Sequence, residues 1–135
     1  MLESPAAKHL PSGGVLALMD HRVYHVIALM KADLHRPLTL SRLAHAVNLS
    51  ESRLRYLFKA ETHQTPARYL KHLRMARAKY LVETTFFTVK EIAHHVGISD
   101  QSHFVRDFER LYGLSPSRLR ARPEGKAAGS PARWR

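Results

Sequence analysis

The chain has 135 residues and no cysteine; a chain of that size buries roughly 65–70% of its unfolded surface, so its core requires neither disulfide nor metal, and thiol chemistry is excluded. Lys and Arg outnumber Asp and Glu by 22 to 11 for a net charge of +11, an excess that favours a polyanionic partner, either nucleic acid or an anionic membrane surface. No apolar run approaches the roughly 20 residues that span a bilayer, and the N-terminus lacks the basic start and apolar core of a secretory signal, so the cytoplasm is the expected location.

In chain order, residues 1–19 carry Pro5, Pro11 and Ser12-Gly13-Gly14 and read as a mostly disordered arm, with Val15–Met19 as a conceivable extension of the first helix. Val23, Val26, Ile27, Met30 and Leu34 then recur at helical spacing, and Pro37 closes the segment. A short helix follows Thr39, with Leu40, Leu43, Ala44 and Val47 on its inner side. A third runs from about Glu51 to Glu61, with Leu54, Leu57 and Phe58 inward. Thr65-Pro66 is an N-cap followed by proline at the first helical position, and it opens a helix that runs to about Glu83. A fifth helix begins near Thr88, a sixth near Gln101 and a seventh after Ser115-Pro116. From Pro123 the tail carries Gly125, Gly129 and Pro131 and reads as a disordered basic end. No apolar alternation marks a strand, so the expected fold is all-α.

An internal repeat organises these helices. Thr39, Leu43, Ala44, His45, Val47, Leu49 and Ser50 recur 49 residues later as Thr88, Ile92, Ala93, His94, Val96, Ile98 and Ser99. Beyond the turn the offset becomes 50, pairing Leu54 with Phe104, Phe58 with Phe108, Thr65 with Ser115 and Pro66 with Pro116. The extra residue falls in a turn, where insertion is tolerated. Each copy reads as a helix-turn-helix: Ala44 and Ala93 are small where two helices cross, and Asn48 and Gly97 suit a positive φ. Leu49 and Ile98 plug the turns, and Ser50 and Asp100 sit where the next helix needs an N-cap. The domains expected are an arm (1–19), a first helix-turn-helix subdomain (20–65), a linker helix (66–84), a second subdomain (85–122) and a tail (123–135).

A helical wheel of the third helix clusters Ser52, Arg55, Tyr56 and Lys59 opposite its apolar side. On the sixth, Phe104, Phe108 and Leu111 are expected inward. Ser102, Val105, Arg106 and Glu109 are expected outward, flanked by His103 and Arg110, with Gln101 at the exposed N-terminal end. Solvated faces would account for either helix alone. Their repetition in a chain of net charge +11, with eight Lys/Arg against two acids between Glu51 and Tyr80, favours double-stranded DNA over RNA or a membrane surface.

These residues resemble the DNA-binding region of the AraC/XylS transcription regulators over Leu38 to Arg120. The resemblance rests on Leu57-Phe58-Lys59, Pro66 with Tyr69-Leu70, Arg74-Met75 with Ala78, and Leu81-Val82. It continues through Val89, Ile92-Ala93, Val96-Gly97, Asp100-Gln101-Ser102-His103-Phe104, Phe108, Gly113 and Ser115-Pro116. Three positions depart from the family pattern: Ile98 replaces a usual Phe, Leu119 a usual Tyr, and His63 stands where glycine is usual, which predicts a positive φ for His63. The resemblance implies seven helices and a linker of roughly 27 Å, against about 34 Å between successive major grooves on one face of DNA. A monomer could then occupy two adjacent major grooves.

Carried over by position, the resemblance implies base contacts from Ser52, Arg55 and Tyr56 in the first module, and from Gln101, Ser102, His103 and Arg106 in the second. Arg can bond guanine O6 and N7 together, and Gln can do the same with adenine N6 and N7. Arg53, Lys59 and Arg110 are the expected phosphate contacts, which give affinity without sequence information. A phosphate role for Arg106 is nearly as well supported. Arg74 and Arg77 share the leucine side of the linker, so at least one is expected to have an internal acidic partner, with phosphate as the alternative. A transcription role adds RNA polymerase as a candidate second partner; the chain is expected to be either a stand-alone regulator, which the start at Met1 modestly favours, or part of a longer protein. Ten histidines, notably His21 with His25 and the pair His94-His95, invite a metal reading. Metal sites need three or four convergent ligands, and no Cys or nearby carboxylate completes one. No nucleophile elbow, phosphate loop or carboxylate pair points to an enzyme, and no cofactor is expected.

Overall fold

A computed structural model describes residues 19–122, in which seven helices and no strands occur. They are α1 (His21–Ala32), α2 (Leu40–Ala46), α3 (Glu51–Thr62), α4 (Pro66–Thr84), α5 (Val89–His95), α6 (Gln101–Tyr112) and α7 (Pro116–Ala121). The expected arm and tail, and the extension through residues 15–18, lie outside the described residues.

Side-chain caps begin these helices at the places the sequence marks. Thr39 accepts from Arg42 N at 3.1 Å, Ser50 from Arg53 N at 3.1 Å and Thr65 from Arg68 N at 3.2 Å. Asp100 accepts from His103 N at 3.1 Å and Ser115 from Arg118 N at 3.2 Å. Thr88 makes a full capping box: it accepts from Glu91 N at 3.0 Å, and its own N–H donates to Glu91 Oε1 at 2.8 Å. Each cap satisfies an amide that the helix start would otherwise leave unpaired, typically worth about 1 kcal/mol.

The chain divides into two compact units. The first takes residues 19–33 and 38–70 of the described chain. In it α1 packs on α2 and α3, burying Val23, Val26, Ile27 and Met30 from α1, Leu43 and Ala44 from α2, and Leu54 and Phe58 from α3. Phe58 meets the edge of Tyr69 at 5.3 Å. The second takes residues 34–37 and 71–122; its core joins Met75, Ala78, Leu81 and Val82 of α4 to Ile92, Ala93, Phe104, Phe108 and Leu119. Arg120 ties this unit further by donating to the carbonyls of Val82 and Phe87.

Both helix-helix turns use the left-handed region, with Asn48 at φ 57° and Gly97 at φ 82°. Helices α3 and α6 also end there, at His63 (φ 65°) and Gly113 (φ 83°). His63 thus adopts the positive φ that its place in the sequence predicts.

Several expectations need correction. Leu34 is not on the α1 stripe, because the helix ends at Ala32 with Asp33 as its cap. Its carbonyl instead accepts from Arg74 Nε at 3.0 Å, while Arg74 Nη2 donates to the Arg36 carbonyl at 2.7 Å. The polar partners of Arg74 are therefore backbone carbonyls rather than an acid, and burial lowers its pKa. Arg77 lies over the ring of exposed Tyr80 at 5.1 Å. Leu111 is 45% exposed, and the inward place is taken by Tyr112, whose ring lies 4.8 Å from Phe108. Val105, expected outside, packs half-buried against the second core.

The two glycine turns are not equivalent. A Cβ on Gly97 would overlap the Leu34 carbonyl oxygen, whereas one on Gly113 would meet nothing within 4 Å. Gly113→Ala carries only the strain of its φ and is expected to cost about 1 kcal/mol. Gly97→Ala adds a backbone clash and is expected to cost about 3 kcal/mol or more. Urea denaturation of both variants, followed by far-UV circular dichroism, measures the difference; equal losses would mean that the Leu34 segment yields freely.

Candidate nucleic-acid interface

Every residue expected to make a base or phosphate contact is exposed. In the first unit Ser52, Arg53, Arg55, Tyr56 and Lys59 all project from α3. The structure brings four of them together in one shallow groove, where Ser52, Arg55, Tyr56 and Lys59 are joined by Ala60 and His63. Arg53 stands beside this row, with its guanidinium 5.7 Å from the Tyr56 ring centre. At that distance a cation is attracted to the ring face, which restrains an otherwise free aromatic that is 67% exposed.

Sequence reasoning missed Ala60 and His63 as part of this face, having assigned His63 to the turn alone. The signal was present: Ser52, Tyr56, Lys59 and His63 follow one another at intervals of four, three and four residues, which is a single helical stripe.

In the second unit Gln101, Ser102, His103, Arg106 and Arg110 are all exposed on α6. Here two of the side chains, His103 and Arg110, are tied to acids. His103 Nδ1 lies 3.3 Å from Asp100 Oδ2, while the other oxygen of that carboxylate caps the helix. The backbone hydrogen bond from His103, aided by its side chain, holds the Asp100 carboxyl below its usual pKa. Arg110 Nη1 pairs with Asp107 at 3.3 Å, and Lys71 of α4 reaches the other Asp107 oxygen at 3.0 Å.

The two faces therefore differ electrostatically. Along α3 stand Arg53, Arg55 and Lys59 against Glu51 and Glu61, beneath a neutral Ser50 cap. Along α6, Arg106 and Arg110 are matched by Asp107 and Glu109, and the cap is itself an acid.

The histidines are placed by other contacts. His95 stacks on Phe87 at 4.6 Å, with His94 turned 70° from it and 6.4 Å away. Among the described residues no three His or acidic side chains converge as metal ligands, and no helix is long and apolar enough to cross a membrane.

Comparison with known proteins gives a consistent result. A family model described as "Helix-turn-helix domain" matches residues 43–122. The chain is 31% identical over 124 residues to the HTH-type transcriptional regulator GbdR of Pseudomonas aeruginosa, an alignment covering 92% of this chain and 33% of that protein. It is 34% identical over 111 residues to the HTH-type transcriptional activator RhaR of Klebsiella pneumoniae, covering 82% and 38%. The chain thus spans about a third of the length of these curated relatives. Among solved structures, the DNA-binding domain of AdpA, a global transcriptional factor in complex with a target DNA, is similar with a TM-score of 0.73 at 25% identity, covering 82% of this chain and 95% of that one. A transcriptional regulator described by its AraC-type DNA-binding domain, from Chromobacterium violaceum, is similar with a TM-score of 0.69 at 28% identity, covering 76% and 94%.

Asp107 offers a test of how α6 is held. The hydrogen bond from Lys71 is the largest effect and lowers its pKa; burial opposes it, and the charges of Lys71, Arg110 and His103 each add a smaller lowering. A carboxylate whose folded pKa lies below the unfolded value of about 4 contributes its stability above that pH, and loses it as the pH falls through the folded pKa. Asp107→Asn is expected to be less stable than the parent at pH 7 and to converge with it as the pH drops below about 4. Thermal melts at several pH values check this; a constant difference down to pH 2 would show that the ion pairs are not its source.

Proposed function

This chain belongs to the AraC/XylS helix-turn-helix family, and from that premise we propose that it is a sequence-specific, double-stranded DNA-binding transcription regulator whose reading helices, α3 and α6, each enter a major groove. DNA as partner is supported above all by the repetition of one device: two capped helices, each following a left-handed turn and each presenting an exposed row of hydrogen-bonding side chains. A single solvated helix face would not require the same turn chemistry twice. The relatives that carry regulator names, and the AdpA domain with its target DNA, support the same reading. The chain acts by binding rather than catalysis, in the cytoplasm at the nucleoid, with RNA polymerase as a second partner.

The roles follow from side-chain chemistry. Ser52, Arg55 and Tyr56 read bases in the first module; Gln101, Ser102, His103 and Arg106 read them in the second. Arg53, Lys59 and Arg110 hold phosphates. A guanidinium suits a guanine edge because its fork of donors meets O6 and N7 together, whereas an ammonium meets them as one flexible point charge.

Selection of bound sites from random duplexes, followed by titration, tests the proposal. Binding is expected to weaken steeply with salt, since each neutralised phosphate releases counterions; a flat salt dependence would exclude DNA. Arg55→Lys is expected to lose about 1–3 kcal/mol of discrimination at one base pair, while Lys59→Ala weakens all sequences alike and makes the salt slope shallower. Uniform weakening by Arg55→Lys would make Arg55 a phosphate contact instead. Because one chain carries two reading heads, a one-to-one complex on an asymmetric site is expected. Sedimentation of the complex checks this, and an obligate two-to-one complex on a palindrome would overturn it.

A further inference from the structure

We propose that His63 is a DNA-backbone contact, a phosphate-binding side chain added at the position where this family ordinarily has glycine. The proposal rests on the DNA-binding reading and extends it to a residue that serves a turn.

The position calls for a left-handed backbone, at φ 65° and ψ 15°, and its counterpart in the second unit, Gly113, meets it with glycine at φ 83°. Histidine tolerates this region better than most residues but still at some strain. The turn needs only the backbone of His63, whose N–H donates to the Lys59 carbonyl at 2.8 Å. The imidazole adds nothing to that. It is exposed, and among the described residues no hydrogen bond or ion pair engages it.

Its surroundings point to an anion. His63 lines the same groove as Ser52, Arg55, Tyr56 and Lys59, one helical turn beyond Lys59 on the stripe. Where the chain carries a side chain at this position it is thus set against the row of cations on α3, at the end away from the base-reading Ser52. At Gly113 the space that a Cβ would enter is open within 4 Å, so the second unit excludes no side chain there; it lacks one. A neutral imidazole always has one ring N–H to donate, and a protonated one has two. A hydrogen bond to a phosphate oxygen is therefore available in either state, and it adds affinity without base preference.

The test compares the full chain with its His63→Gly and His63→Lys variants by fluorescence anisotropy, on the duplex selected by the parent and on single-base variants of it, together with thermal melts. His63→Gly is expected to melt at the same temperature as the parent or slightly above it, because glycine relieves the strain. It is expected to bind all duplexes about three- to tenfold more weakly by the same factor, as for loss of one solvent-exposed hydrogen bond. His63→Lys, which restores a donor to phosphate, is expected to recover most of that affinity. Undiminished binding by His63→Gly would overturn the proposal, as would a loss confined to one base pair, which would make His63 a base reader. If the parent itself binds no duplex in the selection, the DNA-binding reading fails first, and the two failures are thereby distinguished.

Discussion

Each reading helix depends on one residue that turns the backbone into the left-handed region. Asn48 and Gly97 do so at φ 57° and 82°, and the hydrogen bonds around them match closely. Asn48 N donates to the His45 carbonyl and Leu49 N to the Ala44 carbonyl, at 3.1 and 3.0 Å. Gly97 N donates to the His94 carbonyl and Ile98 N to the Ala93 carbonyl, at 3.1 and 2.9 Å. The small Ala44 and Ala93 let the returning chain approach, and both are nearly fully buried. From this turn the entry point of α3 and α6 follows, and from the entry point follows which residues face outward. A β-branched residue at either turn would have to leave the positive-φ region or accept considerable strain, and the face beyond it would rotate away.

The second turn carries one residue more than the first, and that residue changes the chemistry as well as the length. Where Ser50 caps α3 directly, the second module has Ser99 followed by the cap Asp100. A carboxylate at a helix N-terminus is favoured by the helix dipole and by its amide bonds, so the insertion is well tolerated locally. On the proposed DNA reading, it also places a negative charge at the end from which α6 would meet the duplex. Its nearest counterweight is His103, three residues on, at the position that Arg53 holds in the first module.

Much of the fold was legible because its signals are local. The caps Thr39, Ser50, Thr65, Thr88, Asp100 and Ser115 each act on an amide three residues ahead, so spacing alone finds them, and the repeat shows which turns correspond. Long-range partners were not legible. The carbonyls of Leu34 and Arg36 satisfy Arg74 from 40 and 38 residues away, and nothing in the local pattern separates that from an ion pair. Leu111 failed for a related reason. It and Tyr112 lie on neighbouring sides of the last turn of α6, and the Phe108 ring, rather than hydropathy, selects the tyrosine. At the candidate interface, exposure of the expected residues followed from the wheel, while the inclusion of His63 required knowing that the stripe continues past the last helical residue, Thr62.

The asymmetry between the two faces bears on how affinity and selectivity divide on the proposed DNA reading. Among the described residues Arg53, Arg55 and Lys59 have no acid partner comparable to Asp100 or Asp107, so α3 offers cations to the duplex directly, and the counterion release that drives salt-dependent binding falls mainly to it. On α6 the cation Arg110 is already satisfied by Asp107, and His103 by Asp100, so a phosphate or base must compete with an existing partner. Competition of that kind lowers the gain from any non-specific contact. It leaves the neutral donors Gln101 and Ser102 less rivalled, and their contribution depends on finding the matching base edge. A helix whose own charges are balanced, as those of α6 are, gains less from non-specific phosphate contacts, and on this reading discrimination between sites rests more heavily on α6 than on α3.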